Sequence, residues 1–301
     1  MRDAVLRDFS QIDGLEIIQT CDARLTPPLN AIIAQPSADV WALWADCIRL
    51  ADAVLFIAPE TGGVLTRLTR LAESLNKPVL GADSNAVAMA SDKWLTYQQL
   101  QLHQIPSIAA YLYEDFPKHQ TNSWVAKPRD GAGCADMAYF ETSQALEEWM
   151  ETRKQSHIIQ PNQKGESLSF SMLCKQGQAY LLSCNQQKIT IANDAFSYSG
   201  GVINGARQHE LAFEALAGKI ARAMTGLNGY VGVDVIVDEV EGEYFYYVVE
   251  INPRITTSYV ALHEACGLNP ARMLLDLFYN ETFQMPVIAH HKVDISLHAS
   301  T

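Results

Sequence analysis

One acid set inside an apolar strand constrains this chain more than any other feature. Two β-rich runs, Val231 to Asp238 and Tyr244 to Ile251, flank the polar turn Glu239 to Glu243, and this pattern predicts a hairpin. Within the first run, Asp234 interrupts Val231, Val233, Val235, Ile236 and Val237. An unpaired carboxylate in such company is costly or takes up a proton, so something must compensate it. Side chains alternate along a strand, so Glu250 and Asn252 share one face of the second run. Pairing Asp238 with Tyr244 or Tyr246 sets Asp234 opposite Val248 or Glu250 respectively, and all three oxygen-bearing side chains then share a face. Two acids and an amide oxygen on a rigid sheet suit Mg²⁺. Arg254 follows directly after Pro253 and brings a fixed guanidinium beside that metal, where a transferring phosphate would sit. A solvated Asp234 and a Glu250 paired with a surface lysine would explain each acid singly, but not the four residues together.

Lys127 ends the apolar run that starts at Trp124 and is followed by Pro128 and Gly131-Ala132-Gly133. A lysine at a strand end beside a flexible loop places an ammonium and backbone N–H groups around phosphates. The same segment also reads as a plain hairpin turn. It is neither a Walker loop, since no Gly-Lys-Ser/Thr follows, nor a dinucleotide fingerprint, since the third glycine is missing. Lys93 lies just inside a helix after Ser91-Asp92, where most lysines are merely solvated.

The formal net charge of −12, from 22 basic and 34 acidic residues, opposes nucleic acid and anionic membranes as partners. Hydrophobic residues at 48% and charged residues at 19% describe a folded chain with real cores. Six scattered cysteines form no CxxC pair and read as reduced, mostly buried thiols. The N-terminus carries no apolar leader, and no run is long enough to span a bilayer, so the expectation is a cytoplasmic protein.

The fold class expected is α/β followed by α+β. In the first lobe, residues 1–85, Leu15 to Gln19 and Asp52 to Ile57 suit buried strands, and Leu65, Leu68, Leu71, Ala72 and Leu75 recur at helical spacing. Helices with serine caps are predicted at Ser84 to Ala90 and Ser91 to His103. The rest, residues 86–301, divides into a central lobe of about 107–175 and a C-terminal lobe of about 176–301. The central lobe is predicted to hold antiparallel strands at Ile158 to Gln160, Leu168 to Lys175 and Tyr180 to Asn185. A helix within Arg207 to Leu227 ends on a left-handed Gly226, and Asn269-Pro270 starts a last helix. Met1 to Phe9 reads as helical before any strand, so the first-lobe sheet is expected to lack its usual opening strand. The exposed edge that results motivates a homodimer.

The motifs Ser91-Asp92-Lys93, Val125-Ala126-Lys127-Pro128, Ile159-Gln160-Pro161-Asn162, Gly229 to Asp234, and Glu250-Ile251-Asn252-Pro253-Arg254, in that order, resemble the ATP-grasp carboxylate–amine ligases over about Leu50 to Asn280. Ile57-Ala58-Pro59-Glu60, Asn185 with Gln187, Tyr198-Ser199-Gly200-Gly201 and Thr256-Thr257-Ser258 look like the tyramine–glutamate ligase branch, which serves cofactor biosynthesis. Tyr198, Ser199 and a Gly200-Gly201 turn are expected to line the amine pocket, though Tyr198 also reads as a packing residue. The resemblance implies an ATP-grasp fold with a small, truncated N-terminal parallel-sheet lobe. It implies ATP and Mg²⁺, with Mn²⁺ as a substitute, and small-molecule carboxylate and amine substrates. Lys93, Lys127, Gly131 and Gly133 would hold phosphates, Gln160 and Asn162 would read adenine, and Glu166 would meet the ribose. Asp234, Glu250 and Asn252 would hold metal, with Arg254 and Lys127 acting in the transfer. The implied reaction passes through an acyl phosphate. A non-catalytic ATP-binding sensor or scaffold on the same fold is the rival. Two departures stand out: Cys134 in the glycine loop, and Gln-Pro-Asn at the hinge.

Overall fold

Strands that alternate apolar and polar residues bury one face and leave the other to a cleft, and this division organises the second half of the chain. The computed structural model describes residues 1–28, 30–119, 123–131, 135–192 and 195–297. Its elements begin with α1 (Arg2–Ser10), β1 (Thr20–Asp22), β2 (Ile32–Ala34), α2 (Val40–Leu50), α3 (Val64–Ser74), α4 (Ser84–Ser91) and α5 (Lys93–Leu102). They continue with β3 (Trp124–Pro128), β4 (Ala138–Phe140), α6 (Ser143–Met150), β5 (His157–Pro161), β6 (Glu166–Lys175), β7 (Gln178–Ala192) and β8 (Ala195–Ile203). The last are α7 (Glu210–Ala223), β9 (Gly229–Val240), β10 (Glu243–Asn252), α8 (Leu262–Cys266), α9 (Pro270–Tyr279) and β11 (Val293–Ser296).

The parallel sheet expected in the first lobe consists of β1 and β2, with one further parallel bridge from Val54 to Val79. The apolar run Leu15 to Gln19 is not its strand. Leu15 and Ile18 are exposed, and the ladder with β2 begins at Thr20, preceded by the Gln19 carbonyl, which accepts from Ile32 N–H at 2.8 Å. α3 lies where leucine spacing sets it, burying Leu65, Leu68 and Ala72. The caps of α4 and α5 are Asp83 and Asp92 rather than serines, because each carboxylate accepts from the two N–H groups two and three residues on.

The large sheet runs β10-β9-β6-β7-β8-β4-β3-β5, with β11 added beside β8. β6 pairs with β9 and β7, not with β3 or β5, so the three strands expected together in the central lobe divide between two parts of the sheet. Among the described residues, the pair Ala138 and Ala195 alone joins β4 to β8. α6 packs Leu146 and Met150 on Trp124, Ala126 and Ile159 beneath β3 and β5. α4, α5 and α7 cover one face of the main sheet, burying Leu168, Phe170, Met172, Val231, Val233, Val235, Val237, Val248 and Ile251. α1, α8 and α9 form a second core around Leu173, Leu182 and Tyr230.

The β9–β10 hairpin corrects the expected register. Asp238 faces Phe245, and the pairing then shifts between Val248 and Glu250. Val249 is the extra residue of a bulge. Tyr246 and Val248 point into the core before it, whereas after it Ile251 takes the core face and Glu250 and Asn252 turn to the cleft. Gly226 is also not a left-handed cap. α7 ends at Ala223, and a Cβ on Gly226 would lie 2.3 Å from Oδ2 of Asp83.

Gly200 and Gly201 are strand residues of β8, not a turn. Gly200 has φ of +132°, and its Cβ would lie 2.0 Å from the carbonyl oxygen of Ile295 on β11. Gly200→Ala should lose roughly 1–3 kcal/mol of stability, since neither backbone can yield cheaply. Calorimetric melting checks this, and an unchanged transition would show that β11 separates from β8 at no cost.

Candidate active site

A cavity of about 500 Å³ opens between β3 and β5 on one side and β6, β7, β9 and β10 on the other. Lys127, Gln160, Asn162, Asp234, Glu250, Asn252 and Arg254 all line it, though they come from four separate stretches of sequence. Alternation on β9 explains the isolated aspartate: Val233 and Val235 point into the core, while Gly232, Asp234 and Ile236 take the cleft side. Asp234 faces Glu250 directly across the hairpin.

Asp234 is compensated by amides. Its Oδ1 accepts from Gln187 Nε2 at 2.8 Å and its Oδ2 from Asn252 Nδ2 at 3.2 Å. Burial, and then repulsion from Glu250, nevertheless push its carboxyl up to about 6. Glu250 Oε1 is held by Lys93 Nζ at 3.1 Å, and the same ammonium donates to the carbonyl of Gly131 at 2.7 Å. Lys93 is therefore no solvated helix lysine: it is 7% exposed. Capping places it there, because Asp92 both caps α5 and pairs with Arg129, while Lys93 N–H donates to the Arg129 carbonyl.

Lys127 is 4% exposed at the end of β3, and Gln160 is 5% exposed on the neighbouring β5. Asn162 is fixed by its backbone N–H to the Ser123 carbonyl at 2.8 Å and by Nδ2 to Ser123 Oγ. Arg254 donates through Nε to Glu60 Oε2 at 2.7 Å and through Nη1 to the Ile255 carbonyl at 3.1 Å. Gly133 lies outside the described residues.

Glu166 departs from expectation. It is exposed, does not line the cavity, and accepts from Gln186 Nε2 at 2.9 Å. Along β6 its face is that of Leu168 and Phe170, whereas Ser167 and Ser169 point into the cleft. Sequence reasoning passed over these two serines, though polar residues alternating with Leu168 and Phe170 were a usable signal. Gln187 was noted only for its resemblance, without its bond to Asp234. Of the expected amine-site residues, Tyr198 lines the cavity and Ser199 does not; Ser199 Oγ bonds the Lys188 carbonyl instead.

The donor set fits a hard divalent cation. Two carboxylates face each other in a setting that already penalises their joint ionisation, and an amide group stands beside them. Among the described residues no three His, Cys, Asp or Glu side chains gather as a metal cage. A cation here would draw the remaining oxygens from phosphate, which is how Mg²⁺ is commonly held. Three of the cysteines stand apart from the cavity: Cys174, Cys184 and Cys266 are free and buried, and desolvation pushes their thiols up to about 12. No helix among the described residues is long and apolar enough to cross a membrane.

Residues 90–258 match the ATP-grasp domain and residues 15–87 the pre ATP-grasp 3 domain, so the chain belongs to the ATP-grasp family. Among curated proteins it is 35% identical over 285 residues to the tyramine–L-glutamate ligase of Methanocaldococcus fervens, across 93% of this chain and 80% of that one. It is 32% identical to the enzyme of the same name from Methanocaldococcus jannaschii, across 78% and 66%. An ATP-grasp superfamily protein from Archaeoglobus fulgidus superposes with a TM-score of 0.60 at 28% identity, across 83% and 79%. The L-amino acid ligase of Bacillus licheniformis shares the fold alone, with a TM-score of 0.72 at 18% identity, across 91% and 71%.

Proposed function

We propose that this ATP-grasp enzyme is a carbon–nitrogen ligase that joins an amino-acid carboxylate, the γ-carboxylate of glutamate, to a primary amine of the tyramine type, using ATP. The observation that carries this reading is the convergence of Asp234, Glu250, Asn252, Arg254 and Lys127 on one cavity. The names of the two Methanocaldococcus relatives support the substrate pair.

In this reading Asp234, Glu250 and Asn252 hold Mg²⁺, which when bound neutralises charge on the phosphates. Lys127 and Lys93 bind phosphate oxygens, and the backbone of residues 160–162 receives the adenine. Arg254 orients the γ-phosphate. A substrate carboxylate oxygen attacks the γ-phosphorus, the bond to the bridging oxygen breaks, and ADP leaves. The amine nitrogen then adds to the acyl carbon, loses a proton, and expels inorganic phosphate. No protein nucleophile is required, since positioning and charge stabilisation carry phosphoryl transfer. Residues 86–301 supply the nucleotide site, and residues 1–85 close one side of the cavity through Ile57, Ala58 and Pro59.

Incubation with ATP, Mg²⁺, glutamate and an amine panel should yield one ADP and one phosphate for each amide. AMP as product would sink the acyl-phosphate route. Tight ATP binding without turnover on any pair would favour a nucleotide sensor.

A further inference from the structure

We infer that Glu60 is a positioning residue that fixes the phosphate-facing guanidinium of Arg254 from the first lobe, an inference that rests on the ligase reading above. The two residues lie 194 positions apart, yet Arg254 Nε donates to Glu60 Oε2 at 2.7 Å. Nη1 is held as well, by the Ile255 carbonyl. A planar guanidinium bound at two nitrogens has its plane and direction set, which a single contact would not achieve.

Glu60 is placed for this task by its turn. Gly63 N–H donates to the Glu60 carbonyl at 2.9 Å and Leu65 N–H to the Pro59 carbonyl at 3.2 Å. Gly62 and Gly63 both have left-handed backbone, with φ of 64° and 66°, a run that glycine alone tolerates easily. Gly62 N–H also donates to Asp130 Oδ2 at 3.0 Å, in the loop that follows Lys127. One turn of the first lobe thus touches both the Arg254 guanidinium and the loop expected to surround phosphate.

Stability does not explain the pair. Glu60 is 3% exposed, and its second oxygen, Oε1, is buried without a hydrogen-bond partner. Burying two charges with one carboxylate oxygen unsatisfied gains little or nothing over apolar packing. Orientation of Arg254 gives the arrangement a purpose.

The test compares Glu60→Gln, Glu60→Asp and Glu60→Ala with wild type by calorimetric binding of Mg²⁺ with ADP or with a non-hydrolysable ATP analogue. Glutamine keeps the reach and an acceptor oxygen, whereas aspartate keeps the charge but withdraws it. For the analogue, Gln should bind within about threefold of wild type and Asp and Ala about tenfold or more weaker, while ADP binding stays within about twofold throughout. In turnover, kcat should fall in the same order with the KM for the amine unchanged. Equal weakening of both nucleotides, no weakening, or Asp outperforming Gln would overturn the inference. If Glu60→Ala fails to fold, the Gln and Asp pair decides alone. Wild-type protein that makes no amide from any pair tested would sink the ligase reading, while the nucleotide comparison would still judge Glu60.

Discussion

Asp234→Asn should abolish ligation and, at the same time, stabilise the unliganded protein at alkaline pH. The loss follows from removing one of two metal-binding charges on a preorganised face, and kcat should fall by about a thousandfold. The gain follows from linkage. The Asp234 carboxyl sits at about 6 in the folded chain against 3.8 for an ordinary aspartate, chiefly through burial and then through repulsion from Glu250. A folded-state value above the unfolded one favours folding most below the unfolded value, and the advantage fades as pH rises through about 6. Wild type therefore carries the full penalty of an ionised Asp234 at pH 8, and the amide does not. Melting curves should show Asp234→Asn the more stable at pH 8, with the difference shrinking as pH falls through about 6 and vanishing only below the ordinary aspartate value of 3.8. A variant that keeps wild-type turnover would refute the metal assignment, and a stability difference independent of pH would refute the electrostatic account.

Arg254→Lys should cost at least about a hundredfold in kcat, because an ammonium cannot bond Glu60 and the Ile255 carbonyl while also presenting a fork to phosphate. Binding of ADP should survive, since the phosphate that Arg254 is assigned is absent from ADP. Steady-state kinetics beside ADP titration checks both halves. A lysine variant that retains more than a tenth of kcat would remove Arg254 from the transfer.

The parts of this site visible in the sequence were those where chemistry and periodicity disagree. Asp234 stands out because the neighbours that flank it face a core, and Arg254 because it follows a strand directly. Glu166 was misplaced because strand phase decides its face: the alternation of Ser167 and Ser169 with Leu168 and Phe170 already puts it on the core phase, and pairing with β7 and β9 fixes that phase. The expected first strand failed for a related reason: Leu15 to Gln19 has strand composition but forms no ladder of its own, and pairing rather than composition makes a strand. Serines near the caps were visible, yet the neighbouring aspartates win because a carboxylate is the stronger acceptor for free N–H groups. The contact from Glu60 to Arg254 could not be read at all, since it joins two lobes through tertiary structure alone.

Val249 gives β10 something like a reading frame. Upstream of it the even-numbered residues speak to the core, and downstream the odd-numbered ones do. Loss of Val249 would only close the bulge, since Val248 and Glu250 already pair with the adjacent Val235 and Asp234. Straight pairing at the present length, by contrast, would act like a frameshift in protein space: every side chain downstream would keep its identity and lose its address. Glu250 and Asn252 would be driven into the apolar layer and Ile251 into the cleft, a loss no single substitution elsewhere could repair. The length change this point of the strand can absorb is therefore loss of the bulge residue itself, and other length variation is left to the Glu239 to Glu243 turn, beyond the site.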